Sequence, residues 1–268
     1  MTTRVCNVAL MYPRGEVPFI SEWLEYHLIL GVDHTFLGLN VTDDLVDPST
    51  YLNPRRPTPA MYDMESTEVE VLEHTLELIR PFGARVTPYI VLRTDPHYMP
   101  AQRRFLNAVF GLQRHNFDWV GVHDIDEYLV PQDEFRTIKA ALTACPDAYD
   151  SIQMEQAVVE PRWDHERRPR PAPLIVPELQ RCAEIVPHFH GMKSITRCRS
   201  AAAIGVHYPQ LVVGARPLAD RRLLTYHFRG FTDASYGYRV PIEHQVYDMT
   251  DDRPWSLLHS ERATATTP

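Results

Sequence analysis

Cysteine is scarce, with four in 268 residues (Cys6, Cys145, Cys182 and Cys198) and no C-x-x-C pair. That scatter speaks against a zinc site or a disulfide framework and predicts free buried thiols in a reducing compartment. Long apolar runs are also missing. No stretch approaches the roughly 18 residues of a membrane-spanning helix. The first apolar stretch, in MTTRVCNVALMYPRGE, is short and continues as a strand-like pattern, unlike a signal peptide. The expected location is therefore cytoplasmic, with no membrane span. There is no surplus of positive charge, since 27 Lys and Arg against 35 Asp and Glu leave a net charge of −8. A net anion is a poor passive binder of nucleic acid or anionic membrane. If it holds a phosphorylated ligand, something local must offset the repulsion. Glycine is sparse, 11 residues against 23 prolines, so connections are rigid and several loops cannot be helix or inner strand.

What is present is an ordinary globular composition. The chain is 44% hydrophobic and 23% charged, which excludes disorder or fibrous structure for most of its length. Strand candidates at Val5–Met11, Val32–Asn40, Arg85–Leu92 and Trp119–His123 alternate with helix candidates. The helices are expected at Phe19–Leu30, Ser66–Arg80, Ala101–His115 and Glu134–Ala144. Ser21 and Glu22 are expected in the first turn of the first helix, Gly31 at its C-terminal cap, and Ser66 as the N-cap of the second. Residues 41–65 form a long polar connection with four prolines, the pattern of a lid or an insertion. This rhythm predicts an α/β fold: a mostly parallel sheet flanked by helices on both faces. After Ser151 short strands with Pro-rich links predict a small α+β C-terminal elaboration. A single domain is expected over 1–260, with a parallel-sheet half (1–150) and an elaborated half (151–260). The segment 261–268 reads as a flexible tail.

The strongest local signal is Trp119-Val-Gly-Val-His-Asp-Ile-Asp-Glu-Tyr-Leu-Val130. Six acidic residues and no Lys or Arg fall between Asp118 and Phe135. Asp124, Asp126 and Glu127 follow an apolar strand, at the end where such sheets bind ligands. Continued strand geometry would set Asp124 and Asp126 on one side. Carboxylates that close repel unless a cation lies between them. Mn²⁺ or Mg²⁺ shared between carboxylates and substrate phosphates would reverse the local field. The plain alternative is a solvated acidic turn.

The segments Ile20–His34 and Trp119–Leu129 resemble the N-terminal signature and the metal-binding segment of glycosyltransferase family 92 and related family-2-like enzymes. Gln102, Asn107, Lys193–Arg197, Val206-His207 and Tyr226–Gly230 fit the same pattern in order, over roughly residues 5 to 240. The family usually carries Lys-Asn-Glu after the first strand; here Tyr12-Pro-Arg-Gly-Glu16 keeps only the glutamate. The resemblance implies a GT-A fold and an inverting transfer of sugar from a nucleotide-sugar donor, UDP-hexose by default. The acceptor would be a soluble small molecule or glycan. It implies Mn²⁺ (or Mg²⁺) on Asp124 and Asp126, with Glu127 orienting them or the sugar. A histidine from the C-terminal half, His227 in preference to His207, would complete the metal set; a hydrogen-bonded structural histidine is the other reading for both.

The donor-binding candidates are Tyr12, Glu16, Asn40, Gln102, Arg103, Asp124 and Lys193. For Arg103, with its neighbour Arg104, the alternative is an exposed helix arginine; for Lys193 and Arg197 it is a solvated strand face. The base that accepts the acceptor proton is sought at Glu155 or Glu160. Trp163–Arg170 is a basic patch, and His188-Phe-His190 has metal-like spacing without an obvious third ligand. Two other functions stay open. One is nucleotidyl transfer to a sugar phosphate, which calls for a Gly-rich basic loop after the first strand. The other is a non-catalytic nucleotide-sugar or carbohydrate-binding protein.

Overall fold

A computed structural model describes residues 3–42, 67–93, 98–132, 135–161, 183–219 and 222–228. Most of the Pro-rich 41–65 connection, the Trp163–Arg170 patch, Cys182 and the 261–268 tail lie outside these residues.

Strand β1 (Val5–Met11) is buried at all seven positions, as a strand covered on both faces requires. Its side chains alternate between two apolar clusters. Val5, Ala9 and Met11 enter one, while Cys6, Val8 and Leu10 enter the other. Helix α1 (Pro13–Ile29) fills the first cluster with Phe19, Ile20, Trp23 and Leu24. Its start lies well before the expected Phe19, and Ser21 and Glu22 sit mid-helix. Pro13 occupies the first turn, where its fixed φ suits a helix. The Glu16 carboxylate accepts the Tyr12 N–H at 2.7 Å, satisfying a donor the helix leaves open. The helix stops at Gly31, whose φ of 102° is costly for other residues.

Strand β2 (His34–Thr42) follows. Helix α2 (Glu68–Ile79) is capped by Thr67 rather than Ser66, in a reciprocal capping box with Glu70. Next come β3 (Val86–Arg93), α3 (Tyr98–Gln113), β4 (Trp119–Val122) and β5 (Glu127–Pro131). Helix α4 (Ile138–Thr143) begins after Thr137, whose hydroxyl accepts the Ala140 N–H, and not at Glu134. The remaining strands are β6 (Ser151–Pro161), β7 (Ala183–Arg197), β8 (Ala201–Ala203), β9 (Gln210–Leu211), β10 (Pro217–Ala219) and β11 (Leu223–Phe228).

Among the described residues, nine strands make one sheet in the order β3-β2-β1-β4-β7-β6-β11-β5, with β10 also on β6. The block β3-β2-β1-β4 is parallel, as expected. Strand β7 runs antiparallel to β4 and β6, and β11 antiparallel to β5, so the whole sheet is mixed. The fold is α/β and Rossmann-like, with α3 covering the second face through Phe105, Leu106, Val109 and Phe110. From β1 the chain turns to β2 on one side and later returns to β4 on the other. The crevice beyond the carboxyl ends of β1 and β4 is thus a topological switch point, the usual ligand site of such sheets. Among the described residues, no helix is long and apolar enough to cross a membrane.

Candidate active site

The acidic cluster sits at this switch point. The chain does not continue as a strand through Asp124 and Asp126, as the sequence pattern predicts; it turns. The Glu127 N–H donates to Asp124 O at 3.0 Å, and the Asp124 N–H donates to Glu127 Oε2 at 3.0 Å. Ile125 is fully buried and pins the turn to the core. The turn leaves the three carboxylates differently exposed. Those of Asp124 and Asp126 stay partly exposed, at 28% and 19%, while that of Glu127 is 1% exposed.

Four strands and a helix bring the partners. Register pairs Glu127 on β5 with His227 on β11, and Met154 on β6 with Lys193 on β7. Lys193 is wholly buried, and its Nζ lies 2.7 Å from Glu127 Oε2 and 3.2 Å from Asp124 Oδ2. Gln102 of α3 donates Nε2–H to Asp124 Oδ1 at 3.1 Å. Gln156 Nε2 lies 2.9 Å from both Glu127 Oε1 and His227 Nδ1. With that amide donating to both, His227 accepts at Nδ1 and carries its proton on Nε2, which faces Asp126 Oδ2 at 3.1 Å.

The charges balance locally. Burial alone would lower the Lys193 pKa, but Asp124 and Glu127 raise it above the usual lysine range. Burial pushes the Glu127 carboxyl up, and Asp124 and Asp126 push the same way against Lys193 and His227. Three converging donors, from Lys193, Gln156 and the Asp124 backbone, keep it a carboxylate. For Asp126, burial is outweighed by the charge and hydrogen bond of His227, and the pKa falls. Burial, then Asp126, holds the Glu16 carboxyl well above the usual carboxylate range. Glu16 is therefore an electrostatic neighbour of the acidic turn.

The other sequence candidates fall as follows. Tyr12 is the N-cap residue of α1, at the C-terminal end of β1. Asn40 lies on β2 just past the Met11–Leu39 pair, fully buried, with neither amide atom hydrogen-bonded among the described residues. Arg103 and Arg104 are exposed on α3. His207 is exposed, though the charges of Lys193, Asp124 and His227 all reach it. Glu155 is half-buried at an irregularity where it alone opposes residues 189–192 of β7. Glu160 lies on β6 and His188 and His190 on β7, but their side chains are outside the described set. Lys193 is on no solvated face and pairs with carboxylates.

Sequence reasoning missed Gln156, which holds Glu127 and His227 together. No motif marks it; only the sheet order does. It also missed a buried polar layer beneath the turn. His123 Nδ1 lies 3.1 Å from Asn7 Oδ1, and its ring covers Gly121, where a Cβ would come within 2.7 Å of the ring. His27 of α1 stacks on His123 with centroids 6.2 Å apart and bonds the Trp23 carbonyl through Nδ1. Burial pulls the His27 pKa down to about 4. Its Nε2 has no hydrogen-bond partner among the described residues, so a second proton would be unsatisfied.

This has a pH consequence. The unfolded chain takes up a proton on His27 near pH 6.5 and the folded chain only near 4, so stability is complete above 6.5 and lost as pH falls toward 4. The His27 contribution is about 3 kcal/mol. Urea unfolding of wild type and His27→Leu at pH 7 and pH 4.5 checks it. The variant is expected to lose clearly less stability on acidification, and equal losses would contradict the assignment.

Among the described residues, no group of three or more His, Cys, Asp or Glu side chains is arranged to hold a metal ion. Asp126 Oδ2 and His227 Nε2 lie 3.1 Å apart but are joined by the Nε2 proton, which a metal ion would have to displace. No family model matches the chain, and no curated protein matches it. Among solved structures it is similar to apo UDP-glucose pyrophosphorylase, with 11% identity, a TM-score of 0.32, and coverage of 98% of this chain and 99% of that one. A UDP-glucose pyrophosphorylase complexed with UDP-glucose gives the same values. Mannose-1-phosphate geranyltransferase from Thermus thermophilus is similar at 11% identity and a TM-score of 0.32, covering 85% of this chain and 74% of that one.

Proposed function

We propose that this protein is a metal-dependent glycosyltransferase of GT-A type, moving a hexose from a UDP-sugar to an acceptor hydroxyl with inversion. The observation that carries this is the pair Asp124 and Asp126, held partly open at the switch-point crevice and backed by a buried Lys193. The donor set suits Mn²⁺ or Mg²⁺. Asp124 and Asp126 would hold the ion, and His227, which now hydrogen-bonds Asp126 Oδ2 through Nε2 at 3.1 Å, would join them only on giving up that Nε2 proton. Such ions are commonly held by one or two carboxylates plus substrate phosphates, so no all-protein cage is required. When bound, the ion offsets the diphosphate charge and stabilises it as leaving group.

The chain's own residues do the rest. Asp124 is oriented by Gln102 and Lys193, and Asp126 by His227. Lys193 is wholly buried behind the carboxylates and pairs with Asp124 and Glu127. The orphaned Asn40 amide is suited to the nucleoside, and Glu16, which keeps its proton to higher pH than an ordinary carboxyl, can donate a hydrogen bond to the donor. Glu155 takes the acceptor proton as the hydroxyl oxygen bonds to the anomeric carbon from the face opposite the departing UDP.

Nucleotidyl transfer to a sugar phosphate is the second reading, and pyrophosphorylases are among the similar solved structures. Those enzymes need a Gly-rich basic loop after the first strand. Here only Tyr12 separates β1 from α1, which favours sugar transfer. Incubation of the protein with UDP-hexose and Mn²⁺, with and without added pyrophosphate, separates the two. Release of UDP with free or transferred hexose is expected. Pyrophosphate-dependent formation of UTP and hexose 1-phosphate would replace this reading with the second.

A further inference from the structure

A cavity lies at the opposite end of β4 from the acidic turn. It has a volume of about 360 Å³ and is lined by Arg114, His115, Phe117, Asp118, Arg197 and Arg199. We propose that it binds a small phosphate-bearing molecule. This does not rest on the sugar-transfer reading, because none of its residues belongs to the crevice.

Three arginines and one carboxylate line the cavity, in a protein whose net charge is −8; of the three, Arg197 also pairs through Nη2 with the exposed Asp147 at 3.3 Å. Asp118 is already engaged, accepting the Arg4 N–H at 2.8 Å. The Arg4 guanidinium itself lies over the Phe117 ring at 4.8 Å and adds a cation beside the cavity. Two of the lining arginines are held in place before any ligand arrives. Arg197 stacks on Trp119 at 4.4 Å and donates from Nε to the Tyr149 carbonyl, and Arg114 lies over Phe110 at 5.4 Å. Fixing them beforehand lowers the ordering cost of binding. Planar guanidinium forks suit phosphate oxygens, and several converging on one concavity outmatch a scattered surface arginine. The volume lies in the range of small-molecule sites, and Phe117 offers an apolar wall for the rest of the ligand.

Calorimetry on the full chain in EDTA at low salt tests this with two probes, inorganic phosphate and glucose 6-phosphate. EDTA removes any divalent-dependent binding at the acidic turn. Binding is expected for wild type and, unchanged, for Asp126→Ala. The double variant Arg114→Ala/Arg199→Ala should bind at least ten-fold more weakly with an unaltered melting temperature. Arg199→Gln alone, at an exposed position, should show a smaller loss in the same direction. Equal affinity for both probes assigns the site to free phosphate, and tighter glucose 6-phosphate binding assigns it to a phosphorylated sugar. No binding by wild type, or undiminished binding by both arginine variants, would overturn the proposal.

Discussion

Lys193→Met is expected to cost about 3–5 kcal/mol of stability, the usual result of removing one partner from a buried ion pair. In a chain of this size that lowers the melting temperature by on the order of 10 °C. The cause is specific. Glu127 is 1% exposed and receives its shortest contact, 2.7 Å, from Lys193 Nζ. Methionine preserves much of the side-chain bulk and removes only the charge, so the loss reports the stranded carboxylate. The double variant Lys193→Met/Glu127→Gln should recover more than half of it, because the buried charge has then gone with its partner. A single variant melting within about 2 °C of wild type would mean that Glu127 is protonated in the folded protein and the pair is not an ion pair.

Asp126→Ala is expected to reduce turnover of a UDP-sugar by about 100-fold or more, the scale of losing a leaving-group stabiliser worth several kcal/mol. Its effect on folding should be small. Asp126 makes a side-chain hydrogen bond to His227 and is partly exposed on the turn, whereas the turn itself closes through Asp124 and Glu127. Asp124→Ala should behave differently, since it removes a partner of both Lys193 and Gln102 and therefore costs stability along with turnover. Steady-state rates with thermal melts of the two variants separate the two roles. Similar melting losses for both would place Asp126 in the structural network.

Local patterns made much of the fold legible. The largely apolar run of β1 marked it as a strand and a helix was expected over 101–115, whereas the burial of Phe105, Leu106, Val109 and Phe110 on one face of α3 is seen only in the fold. The acidic cluster after β4 was visible because charge so dense beside an apolar strand is uncommon. The turn within it was not, since extended backbone and a tight turn share the same residues here. Strand β5 was missed for the same reason. The early start of α1 depends on Pro13 and the Glu16–Tyr12 bond, which hydrophobic spacing does not register. The network around Glu127 depends on sheet order. Lys193 and Gln156 meet it only because β7, β6 and β11 insert between β4 and β5. Sequence reasoning placed a carboxylate from β6 in the reaction, at Glu155 or Glu160. On β6 it is Gln156 whose contacts with Glu127 and His227 are resolved.

Titration of UDP into wild type and Asp126→Ala, each with and without Mn²⁺, tests the metal-supported donor site most directly. Mn²⁺ should tighten UDP binding to wild type at least ten-fold and leave the variant's affinity unchanged. Equal binding by the two proteins with Mn²⁺ present would contradict a divalent site on Asp126, and with it the donor geometry assigned to this crevice.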